Sequence, residues 1–327
     1  MSALLVLSFL FFSVAAAPAL TLPSQAGSEP LKSQHFQIQE PTMSLELRDG
    51  RPDDATVLGR ICFEAFKDIA HRHHFPEDFP SPEAASGLMS FLLGHPKFHA
   101  VVAEAGGQVI GGNYLDERSA IAGVGPIFID PAAQGQGAGR RLMEVVIARA
   151  QERGLPGVRL VQVGYNNQTL CLYSRLGFQV REPLSLINGT PARIHISGYD
   201  VRKATAGDTD ACNRVCREVH GHDRAGEVDE AIRDGSATVV ERQGRITGYA
   251  TSIGFFAHAV GETTEDLKAL IGAADQITGP GILVPTRNHD LFTWCLDHKL
   301  RLVQQMTLMT MGFYQDPTGA YLSSVLY

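Results

Sequence analysis

The stretch Pro126-Ile-Phe-Ile-Asp-Pro-Ala-Ala-Gln-Gly-Gln-Gly-Ala-Gly-Arg-Arg-Leu142 constrains this chain more than any other. An apolar strand runs into a glycine-rich turn, and the turn opens an amphipathic helix. Leu142, Met143, Val146, Ile147 and Ala150 recur at helical spacing, so one face is built for burial; Gly154 and Pro156 then supply the stop. Gly135, Gly137 and Gly139 alternate, which lets the backbone approach a ligand closely. The first N–H groups of a helix lack intrahelical acceptors and the helix dipole favours negative charge beside them. The turn is therefore suited to an anion such as a phosphate.

Two common phosphate cradles do not fit. The kinase-type loop requires a Lys after its glycines, and none follows here. The dinucleotide fingerprint requires glycine where Arg140 stands, and the next strand, 158–163, does not end in the acidic residue that would hold a ribose. Gln134-Gly135-Gln136-Gly137-Ala138-Gly139, preceded by Ile129-Asp130-Pro131, resembles instead the pyrophosphate-binding motif Gln/Arg-x-x-Gly-x-Gly/Ala of the GNAT superfamily of N-acetyltransferases. A second motif follows after one more strand. Asn166-Asn-Gln-Thr-Leu-Cys-Leu-Tyr173-Ser-Arg-Leu-Gly177-Phe178 matches Asn-x-x-x-x-x-Leu-Tyr-x-x-x-Gly-Phe, a short helix from about Gln168 to Leu176 ended by Gly177. The resemblance covers residues 45 to about 190.

The resemblance implies an α/β (α+β) fold with a mixed, mostly antiparallel central sheet flanked by helices. It also implies acetyl-CoA as co-substrate, without a metal, and direct acetyl transfer to a primary amine, expected to be a small molecule. The pyrophosphate would lie on the backbone of Gly135, Gln136, Gly137, Ala138, Gly139 and Arg140, beside Gln134. The pantetheine arm would add to the edge of Ile127, Phe128 and Ile129. Tyr173 stands at the position of the acid that protonates the departing thiolate, although a free tyrosine has a pKa of about 10. Asn166 matches a polar contact to the cofactor arm or the intermediate. The base stays open: Glu104, Tyr114, Asp116 and Glu117 lie on or near strands that could face substrate, with a surface salt bridge the competing role for each. A non-catalytic acyl-CoA sensor of the same fold is the alternative to an enzyme, and retention of Tyr173 favours the enzyme.

The second half of the chain reads as a worn copy of the first. Arg48, Asp54, Ile61 and Cys62 correspond to Arg202, Asp208, Val215 and Cys216. The hairpin Glu104–Gly111 corresponds to Glu241–Gly248, and Asn166–Phe178 to Asn288–Leu300, in unbroken order. These matches predict tandem GNAT-like domains over 43–195 and 196–327. Chemistry is where the copies differ: Cys295 replaces Tyr173 and Lys299 replaces Gly177. After an expected strand Tyr249–Phe256, the next helix is entered through Gly261-Glu-Thr-Thr-Glu-Asp266 rather than glycines. Carboxylates at that helix start would repel pyrophosphate, so the second domain is expected to wall the substrate pocket without binding CoA.

Composition adds little. The 327-residue chain has room for two domains, and its net charge of −7 and lack of a long basic run argue against nucleic acid. Its five cysteines are odd in number and lack zinc-finger spacing; Cys212 and Cys216, one helical turn apart, look with Cys62 like core thiols in a reducing compartment. A homodimer is compatible with the fold. Residues 1–42 divide into an uncharged, apolar signal-like or anchor-like segment over 1–20 and a polar linker. Export or membrane anchoring would follow if that segment is real. Yet acetyl-CoA is cytosolic, and a glycan on the sequon Asn167-Gln-Thr would obstruct the site; a start at Met43 and a cytoplasmic location are therefore expected. His71, His73 and His74 read as helix-end residues rather than metal ligands, the helix Glu83–Leu93 as a cover for the substrate entrance, and His220 and His222 as pocket candidates.

Overall fold

The computed structural model describes residues 44–326, so the sequence readings for residues 1–42 lie outside the described residues. The first half contains β1 (Leu45–Asp49), α1 (Ala55–Arg72), α2 (Pro82–Gly94), β2 (Phe98–Ala105), β3 (Gln108–Asp116), β4 (Ile121–Val124) and β5 (Phe128–Ile129). It continues with α3 (Ala138–Glu152), β6 (Gly157–Val163), α4 (Asn167–Arg175) and β7 (Gln179–Asn188). The second half repeats this order closely: β8 (Asp200–Lys203), α5 (Thr209–His220), α6 (Ala225–Arg233), β9 (Thr238–Arg242), β10 (Arg245–Ala250) and β11 (Ala259–Gly261). Then come α7 (Thr264–Ala273), β12 (Ile282–Pro285), α8 (His289–Asp297), β13 (Arg301–Gly312) and β14 (Ala320–Leu322). Among the described residues no helix is long and apolar enough to cross a membrane.

Helix positions follow from the apolar spacing. All five predicted face residues of α3 (Leu142, Met143, Val146, Ile147 and Ala150) are buried. In α1, Leu58, Ile61, Cys62 and Ala65 are buried. Ser81 caps α2 by accepting a hydrogen bond from the Ala84 N–H at 3.3 Å. The expected strand Tyr249–Phe256 is shorter than predicted: β10 ends at Ala250, and the chain turns through Ile253 and Phe255, both buried, before β11. An apolar run alone does not separate a strand from a turn whose side chains face the core.

The strands form a nine-stranded sheet in the order β1-β2-β3-β4-β6-β13-β7-β12, with β5 on β3, and a five-stranded sheet in the order β14-β11-β10-β9-β8. Most pairings are antiparallel; β4 and β6 run parallel. The halves are interlocked. β13, from the second half, pairs with β6 through Met306–Gly312 and with β7 through Arg301–Thr310. In return β7, from the first half, sits between β13 and β12. The predicted junction near residue 195 falls in the connection between β7 and β8 and does not divide the larger sheet.

The repeat extends to individual hydrogen bonds. Arg48 donates to both oxygens of Asp54 at 2.7 and 2.8 Å and to Glu104 at 2.7 Å. Arg202 donates to both oxygens of Asp208 at 2.8 and 2.9 Å and to Glu241 at 2.8 Å. In each half the arginine ties the first strand to the following helix start and to the neighbouring hairpin. The paired arginine holds the Asp54 and Asp208 carboxyls below the usual carboxylate range. Asn166 and Asn288 each cap a helix, accepting from the Thr169 and Leu291 N–H groups, both at 3.1 Å. Gly177 and Lys299 each hold a positive φ, 101° and 67°, at the end of that helix.

Two outcomes follow. Lys299 pays a backbone cost that glycine does not, so Lys299→Gly is expected to raise unfolding free energy by about 0.5–1 kcal/mol in a chemical denaturation series. A chain ending at residue 195 would leave facing edges of β6 and β7 without β13, and is expected to aggregate or lack cooperative unfolding when examined by size exclusion and calorimetry.

Candidate functional site

The glycine turn is built by backbone conformation. Gly135 and Gly137 have φ of 82° and 85°, the left-handed region that glycine enters without strain, and Gly137 caps α3. Upstream, the Asp130 carboxylate accepts from the Ala132 N–H at 3.0 Å, and the Gln134 amide donates to the Ile129 carbonyl at 3.1 Å. These bonds fix the turn against β5. The N–H groups of residues 135–140 donate to no acceptor among the described residues; the first helical bond runs from the Arg141 N–H to the Gly137 carbonyl. Arg140 points along the exposed face of α3, where its Nε donates to Glu144 at 2.8 Å.

Beside this turn the sheet opens. β4 pairs with β6 only over Ile121–Gly123, and β5 pairs only with β3, through Gly111–Ile129 and Gly112–Phe128. β5 lies so close to Gly111 that a Cβ there would come 2.3 Å from the Phe128 carbonyl oxygen. Residues 124–129 and 160–163 therefore form the two sides of a notch that holds no strand. The notch and the glycine turn share one cleft of about 740 Å³. Ile127, Phe128, Ile129, Gln134, Gly135, Gly137, Ala138, Gly139 and Arg140 line it; Gln136 does not. This disposition fits an extended chain ending in a phosphate: unpaired strand edges lie along the notch and free N–H groups at its end.

Asn166 and Tyr173 also line the cleft. The Tyr173 ring is 5% exposed and packs edge-on to Phe178, with ring centroids 6.2 Å apart. Burial pushes its phenol further above the ordinary tyrosine value, so it stays protonated at neutral pH. Asn166 spends its side-chain oxygen on the helix cap, and Asn288 does the same in the half without a glycine turn.

The other predicted groups are engaged elsewhere, and none of the four base candidates lines the cleft. Glu104 is bound by Arg48, Asp116 by Arg118, and Glu117 by Arg149 and Arg153; the Tyr114 hydroxyl donates to the Met89 sulfur at 3.1 Å. His220 and His222, expected as pocket candidates, do not line this cleft. His220, in the last turn of α5, is buried beside Tyr321, and His222, past the helix end, is buried beside Phe313. His71 bonds Glu77 at 2.9 Å, and no metal-binding cluster occurs among the described residues. Ala84 and Leu88 of α2 do line the cleft, as expected of its cover.

Sequence reading missed Asp78, in the connection between α1 and α2. It lines the cleft, and its buried Oδ2 has no hydrogen-bond partner among the described residues. Burial pushes its carboxyl up to about 6. The flanking Phe75, Phe79 and Pro80 were the available signal, since an acidic residue set among apolar ones invites burial.

The second half closes the corresponding features. β14 pairs with β11, and Ser323 donates its N–H to the Leu283 carbonyl of β12 at 3.1 Å, so chain fills the gap between β11 and β12. At the start of α7, Thr263 and Asp266 form a reciprocal cap in place of glycines, with Glu262 bound by Arg245 and Glu265 in the first turn. Phe255, Phe256, Pro280, Met306, Val325 and Leu326 of this half instead line the first half's cleft.

Residues 96–180 match the family described as the acetyltransferase (GNAT) domain. A mycothiol acetyltransferase of Nocardia farcinica is 40% identical over 65 residues, covering 20% of this chain and 22% of the relative. A mycothiol acetyltransferase of Propionibacterium freudenreichii is 26% identical over 153 residues, covering 42% and 49%. The chain thus spans half or less of the length of these curated relatives. Among solved structures, a candidate acetyltransferase from Pyrococcus horikoshii superposes with a TM-score of 0.64 at 16% identity, over 91% of this chain and 96% of the other, a likeness of fold. Residues 96–180, which carry the glycine turn and the second motif, thus match the acetyltransferase (GNAT) domain, and the fold of the described residues is like that of the Pyrococcus horikoshii protein.

Proposed function

We propose that the protein transfers the acetyl group of acetyl-CoA directly to a primary amine of a small molecule, at a single site in the 43–195 half. The observation that carries this reading is the notch between β5 and β6 ending at the free N–H groups of residues 135–140, a combination that β14 and the carboxylates of α7 remove from the second half. Backbone N–H groups at the start of α3 hold the pyrophosphate, and the Phe128–Ile129 edge receives the pantetheine arm. Acetyl-CoA supplies the thioester. Tyr173, protonated and buried, gives its proton to the departing sulfur. Asn166 holds the start of α4 and thereby the position of Tyr173. The 196–327 half binds no CoA and covers the acceptor side, which favours an enclosed acceptor over a protein tail.

The test combines the protein, acetyl-CoA and a pool of primary amines, followed by free-thiol release and the mass gain of one acetyl group. Amine-dependent thiol release is the expected result; acetyl-CoA binding without release would support the non-catalytic sensor instead. Tyr173→Phe is expected to lower kcat roughly 10- to 100-fold with acetyl-CoA affinity unchanged. Gly137→Ala places a methyl group at φ 85°, which costs about 1–2 kcal/mol in the left-handed region. Calorimetry should show its acetyl-CoA Kd raised about tenfold or more.

A further inference from the structure

Much of the cleft lining is apolar. Phe66 and Ile69 of α1, Phe79, Leu88 of α2, and Phe255 and Phe256 of the second half all line it. Asp78 is set into these apolar surroundings. The fully buried aspartates among the described residues are all satisfied: Asp54 by Arg48, Asp116 by Arg118, Asp208 by Arg202, and Asp266 by Thr247 and Thr263. The buried Oδ2 of the half-buried Asp78 differs from these. A buried carboxylate oxygen without a donor is costly, and such a cost is tolerated where a ligand supplies the missing donor.

Among the described residues no cationic side chain forms an ion pair with it. Arg72 lines the same cleft but is paired with Asp68 on its own helix. Burial first and the Asp78 charge second push the Cys62 thiol of α1 well up, so it stays neutral. Tyr165, stacked on Phe75 with His73 tilted against its ring, also feels that charge; burial first and Asp78 second push its phenol up to about 12. The Tyr165 hydroxyl is itself buried without a partner, a second unfilled polar position in the same region.

We propose that Asp78 receives the ammonium group of an acceptor carried on an aryl or alkyl body, and acts as the base that deprotonates it. This rests on the acetyl-transfer reading and adds to it the chemical class of the acceptor and the identity of the base. In the step, one N–H proton of the ammonium passes to Asp78, freeing the nitrogen lone pair. The nitrogen–carbon bond forms as the carbon–sulfur bond breaks, and the bond pair leaves on sulfur. The sulfur is protonated from Tyr173, the surplus proton of the new amide nitrogen restores the Tyr173 phenol, and Asp78 releases its own proton to solvent. The apolar walls take the body of the amine, so selectivity arises from desolvation of that body together with one charge pair.

The probes are phenethylamine and glucosamine, primary amines on an apolar and a polar body. Three results are expected. Wild-type protein prefers phenethylamine by at least about tenfold in kcat/KM; Asp78→Asn loses roughly 100-fold or more in kcat/KM while acetyl-CoA affinity holds; and the acidic limb of the wild-type profile, near pH 6, is absent from the residual activity. A preference for glucosamine, unchanged kcat/KM in Asp78→Asn, or survival of the limb would overturn the proposal. Calorimetry of phenethylamine on CoA-saturated protein reads the anchor without turnover. Because the carboxyl ionises as pH rises through about 6 while the amine stays cationic, affinity should strengthen about tenfold between pH 5 and 7. A flat profile overturns the anchor even if acetyl transfer proceeds. Absence of thiol release with the binding profile intact would instead sink the transfer reading alone.

Discussion

The backbone ladder of β13 is the constraint on which the rest of the protein depends. One strand satisfies β6 on one side and β7 on the other, and β7 in turn satisfies β12. Buried strands must pair their N–H and C=O groups, and these four strands from two halves of the chain do so only together. The same ladder fixes the far side of the notch. β6 is held by β13, and that leaves its other edge beyond Arg159 free of partners. The opening in the sheet is therefore a property of the whole chain, although its glycine turn belongs to the first half.

A comparison within the molecule separates architecture from chemistry. The arginine–aspartate–glutamate cluster, the asparagine cap and the left-handed residue ending the following helix occur in both halves. The glycine turn, the open notch and the tyrosine occur in one. What both halves retain holds strands to helices. What one half has lost is replaced by its opposite: carboxylates stand where an anion would sit, and a strand lies where an extended arm would run. Asn166 belongs with the retained group, which accounts for its position without requiring it to touch a substrate.

The sequence was legible where a local pattern sets local geometry. Glycines before an apolar helical stripe yielded the turn and α3, and the internal matches pointed to residues that prove to form equivalent bonds. It was illegible where partners are distant in sequence. Nothing in Arg301–Gly312 marks β13 as a strand of the first half's sheet, because an alternating strand carries no address for its neighbour. Asp78 escaped for a related reason, since its burial depends on α1, α2 and the chain around Tyr165 meeting in space. His220 ends α5 and His222 follows it, and the sequence at neither position reveals whether the side chain faces a cleft or a core.

The interlock also has a consequence for synthesis. The chain leaves the ribosome from its N-terminus, so β6 and β7 exist well before β13. About 110 residues separate the end of β7 from the start of β13, and at ordinary elongation rates these take roughly 5–20 s to make. Throughout that interval two strands with open edges wait for a third that has not been translated. Final assembly of the larger sheet is thus post-translational, or nearly so, although the glycine turn is already synthesised.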